Sequence, residues 1–593
     1  MADPPLSTGL QDSQDSQDSS SPPVNPGNPG ILSNKRARRP HWTDRLGPWK
    51  GPYRLAWFAV LALALVNVWF GPLNQDEGWY LLAAQNVSRG MTPYRDFLYT
   101  QGPVLPYAYG WIAGAWSDAG VLGGRLVTAV FGFLATVFFA LVAGELARRR
   151  DPDAFGPAFF LAFVLLGLSP DWSYFTAIPK TYALGSFLLA LGFGLSLGAP
   201  GRLNRRGAAI AGACFAFAAA TRATLCLAAV PVWIALIVAA RRDRARRFDW
   251  LWFAVGCAAA LAFAYAPFLL ECPDNFLFSQ TYHTARAAAP FGEWLVLRAG
   301  FLCFLAQGYP ALIAAAAILA AAATKKVSGS KFSSSTPSTS STPSTSSTLQ
   351  PLDPLYLAVV ASFVLLTLAH FLVPFPYADY NTPAMPLAAV ALAVPLGRLV
   401  VRANLRPWRV GLVALAASAA FVAASPWPMK WVDGEQHLFW FHSTLDSPLA
   451  RLRRAGRVVR EQNPEGKPIL TQDAYLAVEA GVPVVPGFEM GPFSIFPDLS
   501  DDEARAHRVH NVETALEAIR EADYDVAALS GYTFLLGCPS TAPLPYSDRE
   551  RLRESVRAPF GAPVYSEHRF GQQNTELLIY SRNAPPDELY WSF

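Results

Sequence analysis

The sequence predicts an α-helical membrane protein that crosses the bilayer many times and ends in a soluble α/β domain. Apolar residues make up 52% of the 593 residues and charged residues only 16%, whereas about a quarter of the residues of a soluble protein are charged. The deficit of charge is concentrated in apolar runs long enough to cross a bilayer, which takes roughly 20 residues at about 1.5 Å each. A net charge of +4 is too small to indicate nucleic acid as a partner, so membrane lipids are the expected surroundings.

Eleven apolar runs have the length and composition of membrane-spanning helices. They lie at about 54–72, 121–146, 155–170, 183–199, 207–221, 223–240, 249–270, 299–322, 355–373, 383–401 and 408–425. The sequence therefore predicts a transmembrane domain over residues 51–428.

The placement of basic residues predicts the orientation of these helices. Lys and Arg recur in every second turn between them, at 148–150, 202–206, 241–247, 325–331 and 398–409. Because loops rich in Lys and Arg stay in the cytoplasm, the intervening turns are expected outside a plasma (inner) membrane. The outward segments are then 74–120, 171–182, 271–298, 374–382 and everything after about 426.

Two low-complexity segments are expected in the cytoplasm. Residues 1–50 are predicted to form a disordered tail, since they are mostly polar and rich in Pro and Ser. The basic cluster at 35–39 precedes the first apolar run, as in a signal anchor whose N-terminus stays inside. The Ser/Thr/Pro-rich loop 324–352 is expected to be a flexible linker.

The composition after residue 429 is that of a soluble domain. Short β-like runs alternate with helical stretches such as 501–522, which favours a small α/β domain over 429–593 on the outer face. The predicted strands are 468–472, 482–485, 524–529 and 575–580. The domain has neither GxGxxG nor a P-loop, so no nucleotide is assigned to it. Its role as a lid, as an acceptor-recognition domain or as a stabilising appendage stays open.

The first outward loop carries the most informative polar residues. Asp76 and Glu77 directly follow the first span, ahead of a helical run at 78–89. Ionised carboxylates are costly in lipid, so this pair must face water, a cavity or a cation. A solvated helix start with the usual N-terminal preference for acidic residues explains them equally well. The many Tyr and Trp residues of the loop fit interfacial helices or stacking on sugar rings.

The order of residues in this loop resembles that of the GT-C-fold glycosyltransferases, in the branch that contains protein O-mannosyltransferases and the lipid A aminoarabinose transferase. An acidic pair after the first span is followed by a helix, by a Gly-x-x-Pro-Tyr-x-Asp-Phe segment and by Gly-Pro. The matching residues are Asp76-Glu77, Gly90, Pro93-Tyr94, Asp96-Phe97 and Gly102-Pro103. The resemblance extends to the Thr221-Arg222 turn, the Tyr/Pro-rich segment 374–386 and the outer C-terminal domain.

The resemblance implies an enzyme that transfers a sugar from a polyprenyl-phosphate donor to a lipid, glycan or protein acceptor on the outer face. It assigns Asp76 the role of general base, with Glu77 beside it as the second catalytic residue. A carboxylate that removes the proton of an attacking hydroxyl is worth roughly 10²–10⁴-fold in rate. One carboxylate base with direct displacement would invert the anomeric centre.

The leaving group would be a lipid phosphate, which requires positive charge. Arg222, Lys180 and Arg95 are the candidate cations, with Tyr380 as a hydrogen-bond donor. Arg222 at the membrane surface could instead simply extend its charge to water, and Arg95 could pair with a neighbouring aspartate. The remaining candidate substrate-binding residues are Asp96, Tyr94 and Gln101.

No metal ligand is assigned. A divalent cation could use the oxygens of Asp76, Glu77 and Asp96, but nothing in the spacing fixes such a site.

Two other functions stay open: a carrier or flippase for lipid-linked glycans, and a membrane sensor without catalysis. A transporter would often show charged residues at mid-helix and two repeated halves, whereas these spans contain almost no charge at mid-helix and no visible repeat. A sensor would leave the loop carboxylates unexplained.

Overall fold

A computed structural model describes residues 43–198, 205–281, 290–308, 353–432 and 446–583, with a few more between 313 and 324. In these ranges the membrane domain is built from helices joined by turns and loops. Its α-helices are α1 (Lys50–Phe70), α2 (Gln75–Ser88), α3 (Val104–Trp111), α4 (Gly120–Arg148), α5 (Phe155–Gly167), α6 (Pro170–Phe175), α7 (Thr181–Leu197), α8 (Arg205–Ala219), α9 (Ala229–Arg242), α10 (Asp249–Glu271), α11 (Pro273–Thr281), α12 (Phe291–Gly308), α13 (Pro354–Leu372), α14 (Met385–Arg402), α15 (Pro407–Ala424) and α16 (Trp427–Val432).

Seven helical segments among the described residues are long and apolar enough to cross a membrane, and Pro152–Gly167 and Thr181–Leu197 are shorter apolar helices. The prediction of a multi-pass membrane domain is confirmed, while the count of eleven spans stays a prediction. Small residues allow close helix packing: a Cβ on Gly212 of α8 or Gly256 of α10 would collide with backbone atoms of the other helix. Such small-residue contacts are typical of helices that associate within a bilayer.

The described part of the chain begins inside the segment predicted as a disordered tail. Residues Asp44–Trp49 form a 3-10 helix, and Leu46 and Trp49 are buried in the core of the membrane domain. These two large apolar side chains explain why the tail prediction over 1–50 extends too far. Residues 1–42 lie outside the described residues, as does nearly all of the predicted linker 324–352.

Helix α2 begins earlier than predicted and contains the acidic pair in its first turn. The side chain of Asn74 accepts a hydrogen bond from the backbone N–H of Asp76 at 3.0 Å. In return, the backbone N–H of Asn74 donates to Oε1 of Glu77 at 2.9 Å. This reciprocal capping satisfies backbone donors that a helix start leaves open, so the helix starts at Gln75 rather than at residue 78.

The C-terminal domain is an α/β fold around a four-stranded sheet of order β1-β2-β6-β5, in which β1 and β2 are parallel and the other neighbours antiparallel. A separate hairpin joins β3 to β4. Its elements are α17 (Pro448–Gln462), β1 (Leu470–Thr471), α18 (Ala474–Ala480), α19 (Asp501–Ala506), α20 (Val512–Glu521), β2 (Val526–Ser530), β3 (Leu536–Gly537), β4 (Ala542–Pro543), α21 (Tyr546–Arg557), β5 (Tyr565–Phe570) and β6 (Thr575–Ser581).

Two details of this domain differ from the prediction. The run 482–485 makes only an isolated parallel bridge, between Ile469 and Val484. The single helix predicted over 501–522 is two helices, because Arg508 adopts a left-handed φ of 60° and Asn511 caps the second helix by accepting from the N–H of Thr514 at 2.8 Å. Asn is a preferred residue for such a helix start.

The C-terminal domain packs directly on the helix that carries Asp76. Gly78 of α2 touches the backbone of Ala474 and Tyr475, so that any side chain there would collide with α18. The backbone N–H of Val121, at the start of α4, donates to Oε2 of Glu479 at 3.0 Å. Apolar residues of α2, α3 and the C-terminal sheet belong to one continuous core, and the domain is thereby held against the first loop.

Glu489 gives this domain a predicted pH dependence of stability. Its side chain is only 7% exposed and accepts the N–H of Gly487 at 2.8 Å, and burial raises the pKa of Glu489 from 4.5 to about 7. The folded state therefore binds more protons than the unfolded state between these values, and stability falls as pH rises from about 4.5 to 7. In Glu489→Gln, the loss of unfolding free energy between low and high pH should be smaller by up to about 3 kcal/mol. The measurement is thermal unfolding of the detergent-solubilised protein at pH 5 and pH 8. The exposed Glu554→Gln is the control, and an unchanged pH profile in Glu489→Gln would contradict the assignment.

Candidate functional site

A lysine between two aspartates lies where three distant segments meet. Nζ of Lys180 is 2.9 Å from Oδ2 of Asp76 and 2.6 Å from Oδ2 of Asp379. The hydroxyl of Tyr182 donates to the same oxygen of Asp379 at 2.8 Å. The side chains of Lys180 and Asp379 are 6% and 14% exposed, that of Asp76 27%. Asp76 is therefore the most exposed of the side chains of Asp76, Lys180 and Asp379, which together are called the acidic cluster.

Local structure explains how each residue arrives there. Asp76 lies in the first turn of α2, Lys180 is the extended residue that precedes α7, and Asp379 belongs to the 3-10 helix Ala378–Ala384. Burial lowers the pKa of Lys180, but the charges of Asp379 and Asp76 outweigh it and hold that pKa well above its usual value. This direction favours the protonated form of Lys180. Nε1 of Trp79 donates weakly to the other oxygen of Asp76, Oδ1, at 3.4 Å.

Arg222 lies between two aromatic rings beside this cluster. Its guanidinium carbon is 5.0 Å from the ring centre of Tyr182 and 4.8 Å from that of Tyr380. Nη1 makes one long hydrogen bond of 3.5 Å, to Oγ1 of Thr181, and the buried Nε has no hydrogen-bond partner among the described residues. Arg222 is only 9% exposed and makes no ion pair within the described parts of the chain. A buried guanidinium with unused donors suits a bidentate anion such as phosphate.

Glu77 does not lie in this cluster. Its two carboxylate oxygens accept hydrogen bonds from Nε and Nη2 of Arg125 at 2.8 and 2.7 Å, and both side chains are 0% exposed. Arg125 also donates to the backbone carbonyls of residues Val68, Gly71 and Pro72. This geometry indicates that Glu77 and Arg125 join the end of α1 to α2 and α4, so the catalytic role expected for Glu77 has no support in its surroundings.

The later part of the first loop does not contribute to the acidic cluster either. Arg95 pairs with Asp96 at 2.9 Å and with Glu271 at 3.6 Å, on the surface. This pairing of Arg95 with Asp96 is the alternative to phosphate binding that the sequence left open. Tyr94 is fully buried, and its hydroxyl donates to the carbonyl of Gln101 at 2.6 Å.

The Gly-Pro segment contacts the turn that carries Arg222. Gly102 lies against the backbone of Ala220, with no room for a side chain, and the N–H of Val104 donates to the carbonyl of Ala220 at 3.2 Å. Gly102 and Val104 therefore join the end of the first loop to the turn that carries Arg222.

The residues considered for a divalent cation are not arranged as a metal site. Glu77 is engaged by Arg125, Asp96 by Arg95, and the ammonium of Lys180 occupies the space between the two aspartates. Nor does the rest of the described chain contain a group of three His, Cys, Asp or Glu side chains that could hold a metal ion.

Comparison with solved structures shows the fold. ArnT from Cupriavidus metallidurans bound to undecaprenyl phosphate aligns with a TM-score of 0.57 and 12% sequence identity, over 91% of this chain and 99% of that chain. Its apo state aligns at 0.55 and 14%, over 90% and 100%. The Archaeoglobus fulgidus oligosaccharyltransferase tethered with an acceptor peptide gives 0.43 and 13%, over 90% of this chain and 74% of that chain. No family model and no curated protein matches the sequence.

At such low identity, these matches establish architecture alone. The protein has the GT-C fold, with a helical multi-pass membrane domain followed by a C-terminal α/β domain. The fold class predicted from the sequence is confirmed, and so is the resemblance to GT-C proteins at the level of fold.

Proposed function

We propose that this protein transfers a sugar from a polyprenyl-phosphate donor to an acceptor hydroxyl, with inversion at the anomeric carbon. The observation that carries the proposal is the juxtaposition of a partly exposed carboxylate, Asp76, with two buried cations, Lys180 and Arg222. The fold shared with ArnT, one of whose structures contains undecaprenyl phosphate, supports a lipid-phosphate donor.

The chemistry of this arrangement is a single displacement. Asp76 would accept the proton of the acceptor hydroxyl as its oxygen forms a bond to the anomeric carbon. The bond between that carbon and the phosphate oxygen breaks, and the electron pair leaves with the lipid phosphate. Arg222 and Lys180 would stabilise the negative charge that develops on this phosphate, and Tyr380, whose ring packs on Arg222, borders the same space.

The orientation deduced from the basic turns belongs to the same proposal. The acidic cluster and the domain 429–593 would lie at the outer face of the plasma (inner) membrane, and residues 1–50 in the cytoplasm. The donor would then lie in the outer leaflet, and the acceptor would be a lipid, a glycan or a protein on that side.

Arg222→Gln should weaken the binding of undecaprenyl phosphate about tenfold or more. A hydrogen bond to a charged group contributes roughly 1.5–3 kcal/mol, and each 1.4 kcal/mol is about a factor of ten in affinity. Binding is measured by intrinsic tryptophan fluorescence of the purified full-length protein in detergent.

Arg95→Gln is the matched control, because Arg95 is an exposed arginine already paired with Asp96. We expect it to bind undecaprenyl phosphate as the unmodified protein does. If Arg95→Gln lost binding while Arg222→Gln kept it, the phosphate site would lie at the surface pair and the proposed donor site would be refuted.

A further inference from the structure

A buried histidine in the last turn of α13 contacts the surroundings of Arg222. His370 is 0% exposed, and its Nε2 shares a hydrogen bond of 3.1 Å with Oγ1 of Thr224. The other ring nitrogen, Nδ1, has no hydrogen-bond partner among the described residues. Burying a polar ring in an apolar helix costs free energy unless it is hydrogen-bonded, and an ionisable residue in a membrane-spanning helix usually has a function. The bond to Thr224 is therefore the feature of His370 that calls for an explanation.

Thr224 belongs to the hydrogen-bonded turn that carries Arg222. Arg222 is the extended residue that precedes the 3-10 helix Ala223–Ala228, and its carbonyl accepts the N–H of Leu225 at 3.0 Å. Thr224 lies inside the turn that this bond closes. The hydrogen bond from His370 to Thr224 therefore joins α13 to the backbone from which the Arg222 side chain extends.

The ring of His370 also packs on an aromatic ring that contacts Arg222. The ring centres of His370 and Tyr380 are 6.2 Å apart, with 55° between the ring planes. The guanidinium carbon of Arg222 lies 4.8 Å from the ring centre of Tyr380. The second ring beside Arg222, that of Tyr182, is held by the hydrogen bond of its hydroxyl to Asp379 at 2.8 Å. His370 thus contacts both the turn that places the backbone of Arg222 and one of the two rings that enclose its side chain.

The position of Arg222 matters because a guanidinium that is already ordered binds phosphate more tightly than a mobile one. An arginine side chain loses conformational freedom when a ligand orders it, and a site that is ordered beforehand avoids this cost. The hydrogen bond from Nη1 of Arg222 to Oγ1 of Thr181 is long, at 3.5 Å, so it adds little to that order. The turn and the two aromatic rings are therefore the main supports of the guanidinium, and His370 contacts the turn and one of the rings.

We propose that His370 is a positioning residue of the donor site, which holds the Arg222 turn and the Tyr380 ring in the arrangement that binds the phosphate of a polyprenyl-phosphate donor. This inference rests on the proposed function, in which Arg222 binds that phosphate. It assigns His370 an effect on donor affinity that depends on Arg222 and that requires no contact between His370 and the phosphate.

The test removes the hydrogen bond between His370 and Thr224. Thr224→Val replaces the hydroxyl group with a methyl group of similar size, and it should weaken the binding of undecaprenyl phosphate about threefold to tenfold, the effect of one hydrogen bond. Binding is measured by the tryptophan fluorescence of the purified full-length protein in detergent. Thr224→Ser keeps a hydroxyl group and should restore most of the affinity. His370→Gln, whose amide nitrogen can take the place of Nε2, should lose less affinity than His370→Leu.

Ser362→Ala is the matched control. The buried hydroxyl of Ser362 also joins α13 to the 3-10 helix Ala223–Ala228, since it donates to the carbonyl of Ala228 at 3.3 Å. This bond lies at the end of the 3-10 helix that is remote from Arg222. Its removal should leave the affinity for undecaprenyl phosphate unchanged.

Combination with Arg222→Gln separates a positioning role from a merely structural one. In the Arg222→Gln protein, Thr224→Val should cause no further loss of affinity, because the group that the hydrogen bond positions is absent. Unchanged affinity in Thr224→Val, an equal loss in Ser362→Ala, or the same loss with and without Arg222 would overturn the inference. If the unmodified protein failed to bind undecaprenyl phosphate, the proposed function itself would be refuted.

Discussion

Asp76→Asn should reduce sugar transfer by roughly 10²–10⁴-fold, the usual contribution of a positioned general base. Asparagine has the shape of aspartate and can still accept the hydrogen bond of Trp79, but its amide cannot take a proton at neutral pH. The readout is the lipid and glycan composition of cells that lack the gene and carry either variant. Turnover is then measured in liposomes. The labelled donor is the polyprenyl-phosphate sugar that corresponds to the product missing from those cells.

The same substitution should leave donor binding intact or strengthen it. In the unmodified protein, the charge of Lys180 is shared between Asp76 and Asp379, at 2.9 and 2.6 Å. Without the charge of Asp76, Lys180 has more positive potential to offer a phosphate. A variant that loses turnover while its affinity for undecaprenyl phosphate is equal or higher would fit a base and would not fit a general loss of folding.

Asp118→Asn is the matched control, because Asp118 is an exposed carboxylate in the same loop. It should transfer sugar at the unmodified rate. If Asp76→Asn also did so, Asp76 would not be the base. Movement of labelled lipid across the bilayer by Asp76→Asn, without any transfer, would instead favour the carrier that the sequence left open.

The sequence singles out Asp76, Lys180 and Arg222 as candidates, because each is a charged residue at the end of an apolar run, where a charge requires an explanation; their functional roles stay predictions. It could not assign Asp379 and Tyr182 to the same cluster. Asp379 is 199 residues from Lys180 and 197 from Tyr182 along the chain, and no local pattern encodes such contacts. Asp379 does lie in the Tyr/Pro-rich segment 374–386, which was the one available signal.

The sequence was misleading where adjacency was taken for proximity. Asp76 and Glu77 are neighbours in the chain, but successive residues of an α-helix lie about 100° apart around its axis, and such neighbours do not face each other. Once both lie within α2, Asp76 contacts Lys180 and Glu77 contacts Arg125. The start of the helix at Gln75 rather than at 78 therefore decides how the acidic pair should be interpreted.

The C-terminal strand β5 illustrates a different limit. The segment Tyr565–Phe570 contains Ser, Glu, His and Arg between its aromatic ends, so it has no apolar alternation to reveal a strand. It pairs with β6, and Glu567 is buried because Tyr565 and Arg454 bind its carboxylate. Partners that distant segments supply cannot be deduced from the local sequence.

Arg125→Met should destabilise the protein by about 3–5 kcal/mol, since it leaves a buried carboxylate without its counter-ion. Glu77 would keep only the backbone N–H of Asn74, and the carbonyls of Val68, Gly71 and Pro72 would lose the Arg125 donor. We expect a lower midpoint of thermal unfolding in detergent and a lower yield of folded protein. Glu77→Gln should behave similarly, because its amide would place N–H groups against those of Arg125.

The double variant Glu77→Leu/Arg125→Met separates a structural from a catalytic role. Removing both charges avoids an unpaired buried ion, so the loss of stability should be smaller than the sum of the single losses. The folded fraction should still bind undecaprenyl phosphate, since neither residue contacts Lys180 or Arg222. The control is the exposed ion pair of Glu513 and Arg551. Glu513→Gln should lower the free energy of unfolding by less than about 1 kcal/mol. If Glu77→Gln were as stable as the unmodified protein yet inactive, Glu77 would belong to the catalytic machinery, and the assignment of its pair with Arg125 to structure would be wrong.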